Sequence, residues 1–139
     1  MDYEGPKAGI DDFKRALKAV RDDDKVSVEK LKLWRKLLGC HYAMPGHTIT
    51  AMELAQQCKL ASFSEANLRY GALAHAVADH LRFQPEPRPT GDRKPMWWLA
   101  LSTGSYGDDR DSMFQFTMRP ELIAALEEMG WVRQEARPD

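Results

Sequence analysis

The 139-residue chain is 43% hydrophobic and 29% charged, which is ordinary for one globular domain with a substantial core. Its 20 Lys and Arg nearly balance 21 Asp and Glu, and the net charge of −1 argues against a strongly basic protein that coats DNA without specificity. No apolar run approaches the ~20 residues of a bilayer span, and the chain lacks a basic-then-apolar start. We therefore expect a cytoplasmic protein that does not enter membranes.

Two amphipathic helices are predicted after a flexible tail at 1–9. The first has apolar residues at helical spacing from Ile10 to Val20. Ser27 is a candidate N-cap for the second helix, and Gly39 is its candidate end. The apolar stripe of the second helix is predicted to comprise Val28, Leu31, Trp34, Leu37 and Leu38. This stripe suits either a homodimer interface or packing against the chain's own core.

A short helix, a tight turn and a longer helix are predicted over 50–81. Thr50 and Glu53 form a T-x-x-E capping box, which marks the start of the short helix. That helix should bury Met52, Leu54, Ala55 and Cys58 and end near Lys59. Residues 60–63 are predicted to turn, and Ser64 to cap the long helix. The inward face of the long helix is predicted to be Ala66, Tyr70, Leu73, Ala74, Val77 and Leu81.

A hairpin and a last helix are predicted in the C-terminal third, after a proline-rich loop at 84–95. The segments 96–103 and 113–118 alternate between apolar and polar residues, as strands do. Alternation places Trp97 in the core and Trp98 outward or beneath the proline loop. The last helix should begin at Pro120 and end at Gly130, ahead of a flexible tail at 133–139.

These elements predict an α+β fold that is mostly helical. The order of the elements is that of a winged helix-turn-helix, with a two-stranded hairpin as the wing and two extra N-terminal helices. A single domain at 10–132 accommodates all of them. Winged helices mostly bind nucleic acid, and diverged members often bind protein, so the fold alone leaves both functions open.

The candidate DNA-binding residues begin with Ser64, Asn67 and Arg69, which the helical period places on the outward face of the long helix. Asn and Arg side chains suit the edges of adenine and guanine, whereas the neighbouring Glu65 would repel phosphate. Basic residues elsewhere could follow the phosphate backbone. They are Lys32 and Arg35 with Lys36 on the second helix, and Arg82, Arg93 and Lys94 around the proline loop. The expected partner is double-stranded DNA.

The hairpin loop favours an alternative partner, because it carries Asp108, Asp109 and Asp111 around a single Arg110. A wing that grips DNA normally presents cations, so this loop suits a basic protein surface or is simply a solvated turn. An outward Trp98 would anchor such a protein. The alternative function is therefore protein interaction, for example by a phage-encoded inhibitor of a host nuclease or CRISPR complex.

No catalytic or metal-binding constellation is evident. Cys40, His41, His47 and Cys58 lack the paired spacing of zinc ligands, and His75 and His80 point about 140° apart on a helix. The nucleophile-elbow, P-loop and H-E-x-x-H motifs are absent. We expect a protein that is not an enzyme and needs no cofactor or metal.

The segments HYAMPGHTITAMELA, ANLRYGALA and RPELIAALEEMGWV carry a resemblance that extends over about 37–132. They resemble a bacterial or prophage winged-helix-like domain that occurs alone and beside HNH-type nuclease modules. The resemblance implies a DNA-associated accessory module in bacterial or phage defence, or a regulatory subunit for a nuclease encoded alongside. The His-Asn-His core of such nucleases is missing here, so nuclease chemistry is not implied.

Overall fold

A computed structural model describes residues 3–89, 91–106 and 114–133, and these form an α+β structure. Five α-helices and three strands are present in the described residues. In chain order they are α1 (Ile10–Asp22), α2 (Val28–Ala43), β1 (Thr48–Thr50), α3 (Ala51–Cys58), α4 (Phe63–Leu81), β2 (Ser102–Tyr106), β3 (Phe114–Met118) and α5 (Pro120–Met129). None of the described helices is long and apolar enough to cross a bilayer.

The three strands form one antiparallel sheet in the order β1-β3-β2. The predicted hairpin is therefore present as β2 and β3, with Gly104 opposite Phe116. The short β1 was not predicted, and it pairs with the other edge of β3, where Ile49 lies opposite Phe116. Ile49 and Phe116 are both buried, so this face of the sheet closes one side of the core.

Helix α4 is central to the packing. Its predicted inward residues Ala66, Tyr70, Leu73, Ala74 and Val77 are all buried, whereas Leu81 is half-buried. Helix α1 packs against both α4 and α5, and its Phe13 and Leu17 are almost fully enclosed. Both N-terminal helices therefore belong to the same core as the remaining elements.

The apolar stripe of α2 is covered by the chain itself. Trp34, Leu37 and Leu38 are buried in the shared core. Val28 was predicted to belong to this stripe, but it is 69% exposed because it lies in the first turn of the helix, at the edge of the packing. The surface considered for a homodimer is therefore already occupied by intramolecular contacts.

The predicted helix starts are confirmed at α2 and α3. Ser27 Oγ accepts the Lys30 amide at the start of α2. At α3 the capping box is complete, since Thr50 Oγ1 accepts the Glu53 amide at 3.1 Å and Glu53 Oε1 accepts the Thr50 amide at 3.0 Å. Helix α3 ends at Lys59, which has the left-handed conformation typical of a C-cap (φ 57°).

The N-cap of α4 was predicted wrongly. Ser62, and not Ser64, caps this helix, and its Oγ accepts the Glu65 amide at 3.2 Å. The helix therefore begins at Phe63, and Ser64 lies inside the first turn. Met52 of α3 was also misplaced, since it is 45% exposed and not part of the core.

Two further boundaries differ from the prediction. Helix α2 continues through Gly39 to Ala43, since its inward residues pack on both sides of the glycine. The segment predicted as a strand from residue 96 begins with a 3₁₀ turn at Trp97–Ala100, in which the Leu99 amide donates to the Met96 carbonyl. Local bonds of this kind replace strand pairing until Ser102.

Candidate nucleic-acid interface

The first two turns of α4 expose the three side chains that were predicted to contact DNA. Ser64, Asn67 and Arg69 all lie on the solvent side, while Ala66 and Tyr70 point into the core. Two large apolar side chains are also exposed on these turns, Phe63 at 50% and Leu68 at 68%, and they point about 140° apart because five residues separate them. The predicted DNA-contacting residues are therefore accessible to a partner. Two exposed apolar side chains that the prediction did not include accompany them.

Glu65 holds the local structure at the start of α4, in addition to repelling an anionic ligand. Its Oε2 accepts the Ala61 amide at 3.0 Å, which holds the turn before α4. Its Oε1 lies 3.7 Å from Nη2 of Arg69 one turn along the helix. An exposed pair of this type contributes little stability, but it directs the Arg69 side chain. Arg69 remains 46% exposed and can still reach a partner.

The cations of α2 divide into two groups. Lys32, Lys36 and Arg35 are all exposed, but the Arg35 guanidinium also lies 4.7 Å from the centre of the Trp131 ring in the C-terminal segment. Lys36 lies one turn before Cys40 on the same face of α2, and Cys40 Sγ is 3.5 Å from Cys58 Sγ at the end of α3. Lys36 therefore lies on the side of α2 that faces the end of α3.

Lys59 lies in the turn that leads into α4 and was missed as a candidate. It is exposed, and its left-handed conformation ends α3 three residues before the Ser62 cap. The signal available in the sequence was its place directly before the predicted turn. Lys36 and Lys59 are the cations that the fold brings toward the start of α4.

The remaining predicted cations follow α4 in the chain, and Arg82 is the C-cap of that helix. Arg82 follows the last turn of α4, so it is about 27 Å from Ser64 along the helix axis at ~1.5 Å per residue. Arg93 and Lys94 belong to a narrow ribbon in which the Arg88 amide donates to the Lys94 carbonyl at 2.9 Å. This ribbon follows the C-terminal end of α4, so the structure does not bring the predicted DNA-binding set together.

The two tryptophans are both half-buried, and their positions differ from those that strand alternation predicted. Trp97 stacks flat on the exposed His75 ring, with 3.7 Å between ring centres and an angle of 7°, and is not in the buried core. Trp98 is half-buried, with its ring edge-on to Phe114 at 5.1 Å. The 3₁₀ turn causes this difference, because it breaks the alternation on which the prediction rested.

The structure describes only part of the surface that was predicted to contact a protein partner. A Cβ at Gly104 would lie 2.7 Å from the Trp98 ring and closer still to Phe114, so Trp98 packs tightly against the hairpin. Trp98 is therefore less available as an anchor than the prediction assumed. Asp108, Asp109 and Asp111 lie outside the described residues.

A buried polar network links four elements behind the α4 face. His41 Nε2 donates to the Phe116 carbonyl at 2.9 Å, so His41 Nδ1 accepts from the Tyr70 hydroxyl at 3.2 Å. Tyr70 in turn accepts from Ser102 Oγ at 2.5 Å. Burial lowers the pKa of His41 to about 4 and raises the pKa of Tyr70. All three side chains are closed to solvent, so they join elements and do not meet a ligand.

The cysteines and histidines considered for zinc are dispersed. Cys40 and Cys58 have their sulfurs 3.5 Å apart, and burial raises the pKa of Cys58 to about 12. His41 is committed to the network above, and His47 Nδ1 lies 2.6 Å from the Tyr42 carbonyl. Within residues 3–89, 91–106 and 114–133, no three potential ligands converge on a metal position.

Comparisons with known proteins add no assignment. No family model, curated protein or solved structure matches this chain. The function is therefore argued from the geometry above.

Proposed function

We propose that this protein is a non-catalytic, cytoplasmic DNA-binding module whose segment 28–118 is a winged helix-turn-helix. The order α2-β1-α3-α4-β2-β3 supports this proposal, as does the position of β3 between β1 and β2. The pair α3 and α4 would form the helix-turn-helix, and the β2-β3 hairpin the wing. In line with the sequence resemblance, such a module would serve bacterial or phage defence beside a separate nuclease.

The observation that carries the proposal is the exposure of Ser64, Asn67 and Arg69 on the first two turns of α4. Recognition helices contact base edges mainly through their N-terminal residues, and Asn and Arg suit adenine and guanine. Lys36 and Lys59 lie toward the same end of the helix, where they would meet phosphates.

The small number of nearby cations sets the expected salt dependence. Two phosphate contacts, from Lys36 and Lys59, would make the association constant fall roughly tenfold between about 50 and 200 mM salt. The measurement is a fluorescence-anisotropy titration of the full chain with a labelled mixed-sequence duplex at both concentrations. Lack of detectable binding at the lower concentration would refute the proposal.

Matched variants locate the surface. The double variant Asn67→Ala/Arg69→Ala should weaken binding about tenfold or more, because both groups would lose contacts to bases. The control is Arg93→Ala/Lys94→Ala, which removes two cations from the ribbon beyond the other end of α4. Its affinity should change by less than about threefold, since neither residue belongs to the proposed contact surface and salt screens exposed charges. A larger loss in the control than in the α4 variant would contradict the assigned surface.

Protein interaction is the second candidate, and the exposed Phe63 and Leu68 favour it. DNA phosphates do not require large exposed apolar side chains, whereas interface cores often use them. A basic partner, such as a host nuclease or CRISPR complex, would also meet the acidic residues 108–111. Absence of DNA binding in the titration above would favour this candidate.

A further inference from the structure

A second candidate site lies at the far end of α4, where the N-terminal segment crosses the end of the helix. A pocket of about 530 Å³ opens there, which is within the range of small-molecule sites. Its lining comes from two distant parts of the chain, namely Lys7, Ala8, Asp12 and Arg15, and His80, Leu81 and Arg82. The exposed start of α4 is about 27 Å away, so this pocket is separate from the proposed DNA surface.

The pocket is lined mainly by cations. Lys7, Arg15 and Arg82 carry permanent positive charges, while Asp12 provides the single carboxylate. His80 contributes ring nitrogens that can donate to an anion. Only Ala8 and Leu81 supply apolar surface, which is too little to retain a hydrophobic ligand. The composition of the lining therefore selects a small polar anion.

Asp12 positions one of these cations and leaves the others free. Its Oδ2 accepts the Gly9 amide at 2.9 Å at the start of α1, and its Oδ1 lies 2.6 Å from Nη2 of Arg15. The carboxylate is thereby fixed, and it holds the Arg15 guanidinium at the rim. Among the residues that the structure describes, no acidic group lies within ion-pairing distance of Lys7 or Arg82.

Capping bonds and a positive charge at the C-terminal end of α4 weaken the repulsion between the negative end of the helix and an anion. Arg82 adopts the left-handed conformation (φ 56°), and its amide donates to the carbonyls of Ala78 and Asp79. The Phe83 amide also donates to the Ala78 carbonyl, at 2.9 Å. These bonds satisfy carbonyls at the C-terminal end of the helix, and Arg82 adds a positive charge at the same place.

We propose that this pocket binds a small anion with several phosphate charges, such as inorganic pyrophosphate or the diphosphate group of a nucleotide. Guanidinium groups bind phosphate oxygens through paired hydrogen bonds, and two guanidiniums with one ammonium suit a diphosphate. The site would give the protein a ligand-binding function that is independent of DNA or protein recognition by α4.

The test is calorimetric titration of the full chain with inorganic pyrophosphate at low salt. Saturable binding at one site is expected, and Lys7→Ala/Arg82→Ala should weaken it at least about tenfold. The control is Arg93→Ala/Lys94→Ala, which removes the same charge from residues that do not line the pocket. It should change the affinity by less than about threefold, because salt partly screens exposed charges that do not contact the anion. Circular dichroism of each variant would verify that its helices are retained.

Two results would overturn the proposal. One is the absence of saturable heat at pyrophosphate concentrations up to about 10 mM, because binding with so high a dissociation constant would not be specific. The other is an equal loss in both double variants, which would indicate general charge attraction. A DNA titration separates the two sources of phosphate. If Lys7→Ala/Arg82→Ala weakens duplex binding as strongly as pyrophosphate binding, the pocket holds a DNA phosphate and the free-anion assignment is wrong.

Discussion

The structural role of His41 could be predicted only in part from its neighbours in the sequence. In the sequence it stands between a cysteine and a tyrosine, and it was set aside as a zinc ligand because the paired spacing of such ligands is missing. It also lies three and four residues after the buried Leu38 and Leu37, at the spacing of the inward face of α2. That spacing predicts a core histidine, but its partners Tyr70 and Phe116 are too distant in sequence to be inferred from α2 alone.

The burial of His41 makes stability depend on pH. The pKa of His41 is about 4 when folded, against about 6.5 for an exposed histidine, so between these values the unfolded chain binds a proton that the folded chain does not. The free energy of unfolding should therefore fall as the pH drops from 6.5 to 4, by roughly 3 kcal/mol from this group. Urea denaturation at a series of pH values measures this loss.

The substitution His41→Gln isolates that contribution. A glutamine amide can still donate to the Phe116 carbonyl, but it does not titrate, so the variant should lose about 3 kcal/mol less over the same pH interval. His80→Gln is the matched control, because His80 is exposed, and it should retain the full pH dependence. An identical pH dependence in His41→Gln would show that His41 is not responsible.

At the scale of elements, local signals predicted helices well, whereas pairing between distant segments was missed. The T-x-x-E box at Thr50 marked α3 correctly because both hydrogen bonds lie within four residues. The same pattern occurs at Ser62 and Glu65, and it would have placed the start of α4 correctly. The three-residue β1 depends on β3, 65 residues further along, and no local window contains that information.

The cap of α3 makes a specific contribution to stability. Thr50→Ala removes the acceptor of the Glu53 amide and should lower the free energy of unfolding by about 1 kcal/mol. Thr50→Ser keeps a hydroxyl and should restore most of that loss. Urea denaturation compares the three proteins. If the alanine and serine variants are equally destabilised, the lost methyl group and not the cap is responsible.

At the scale of the molecule, charge distribution was the least predictable property. The sequence contains enough cations for a continuous phosphate-binding stripe, but folding places Lys36 and Lys59 toward one end of α4 and Arg82 beyond the other. Helix periodicity predicts which side a residue faces, but it does not predict which residues of separate elements become neighbours. The α+β class and the burial of most of the α4 inward face were within reach of the sequence, whereas the division of the basic residues was not.

Helix α1 should unfold together with the rest of the chain. Leu17 is completely buried where α1 meets the core, so Leu17→Ala should lower the free energy of unfolding by about 2–5 kcal/mol. Helical circular dichroism and tryptophan fluorescence should shift together, as expected for one cooperative unit.

Val28→Ala is the matched control for this prediction. Val28 is 69% exposed, so its truncation should change stability by less than about 0.5 kcal/mol. If Leu17→Ala shifted only the circular dichroism transition, α1 would be a separate unit that unfolds alone.

The position of Thr50 has a mechanical consequence. This residue is the last of β1, where it lies opposite Gln115 of β3, and it is also the cap on which α3 begins. No flexible linker separates strand from helix, so a tilt imposed on the β2-β3 hairpin is transmitted to the start of α3. A partner that binds the hairpin would therefore also change the orientation of α3.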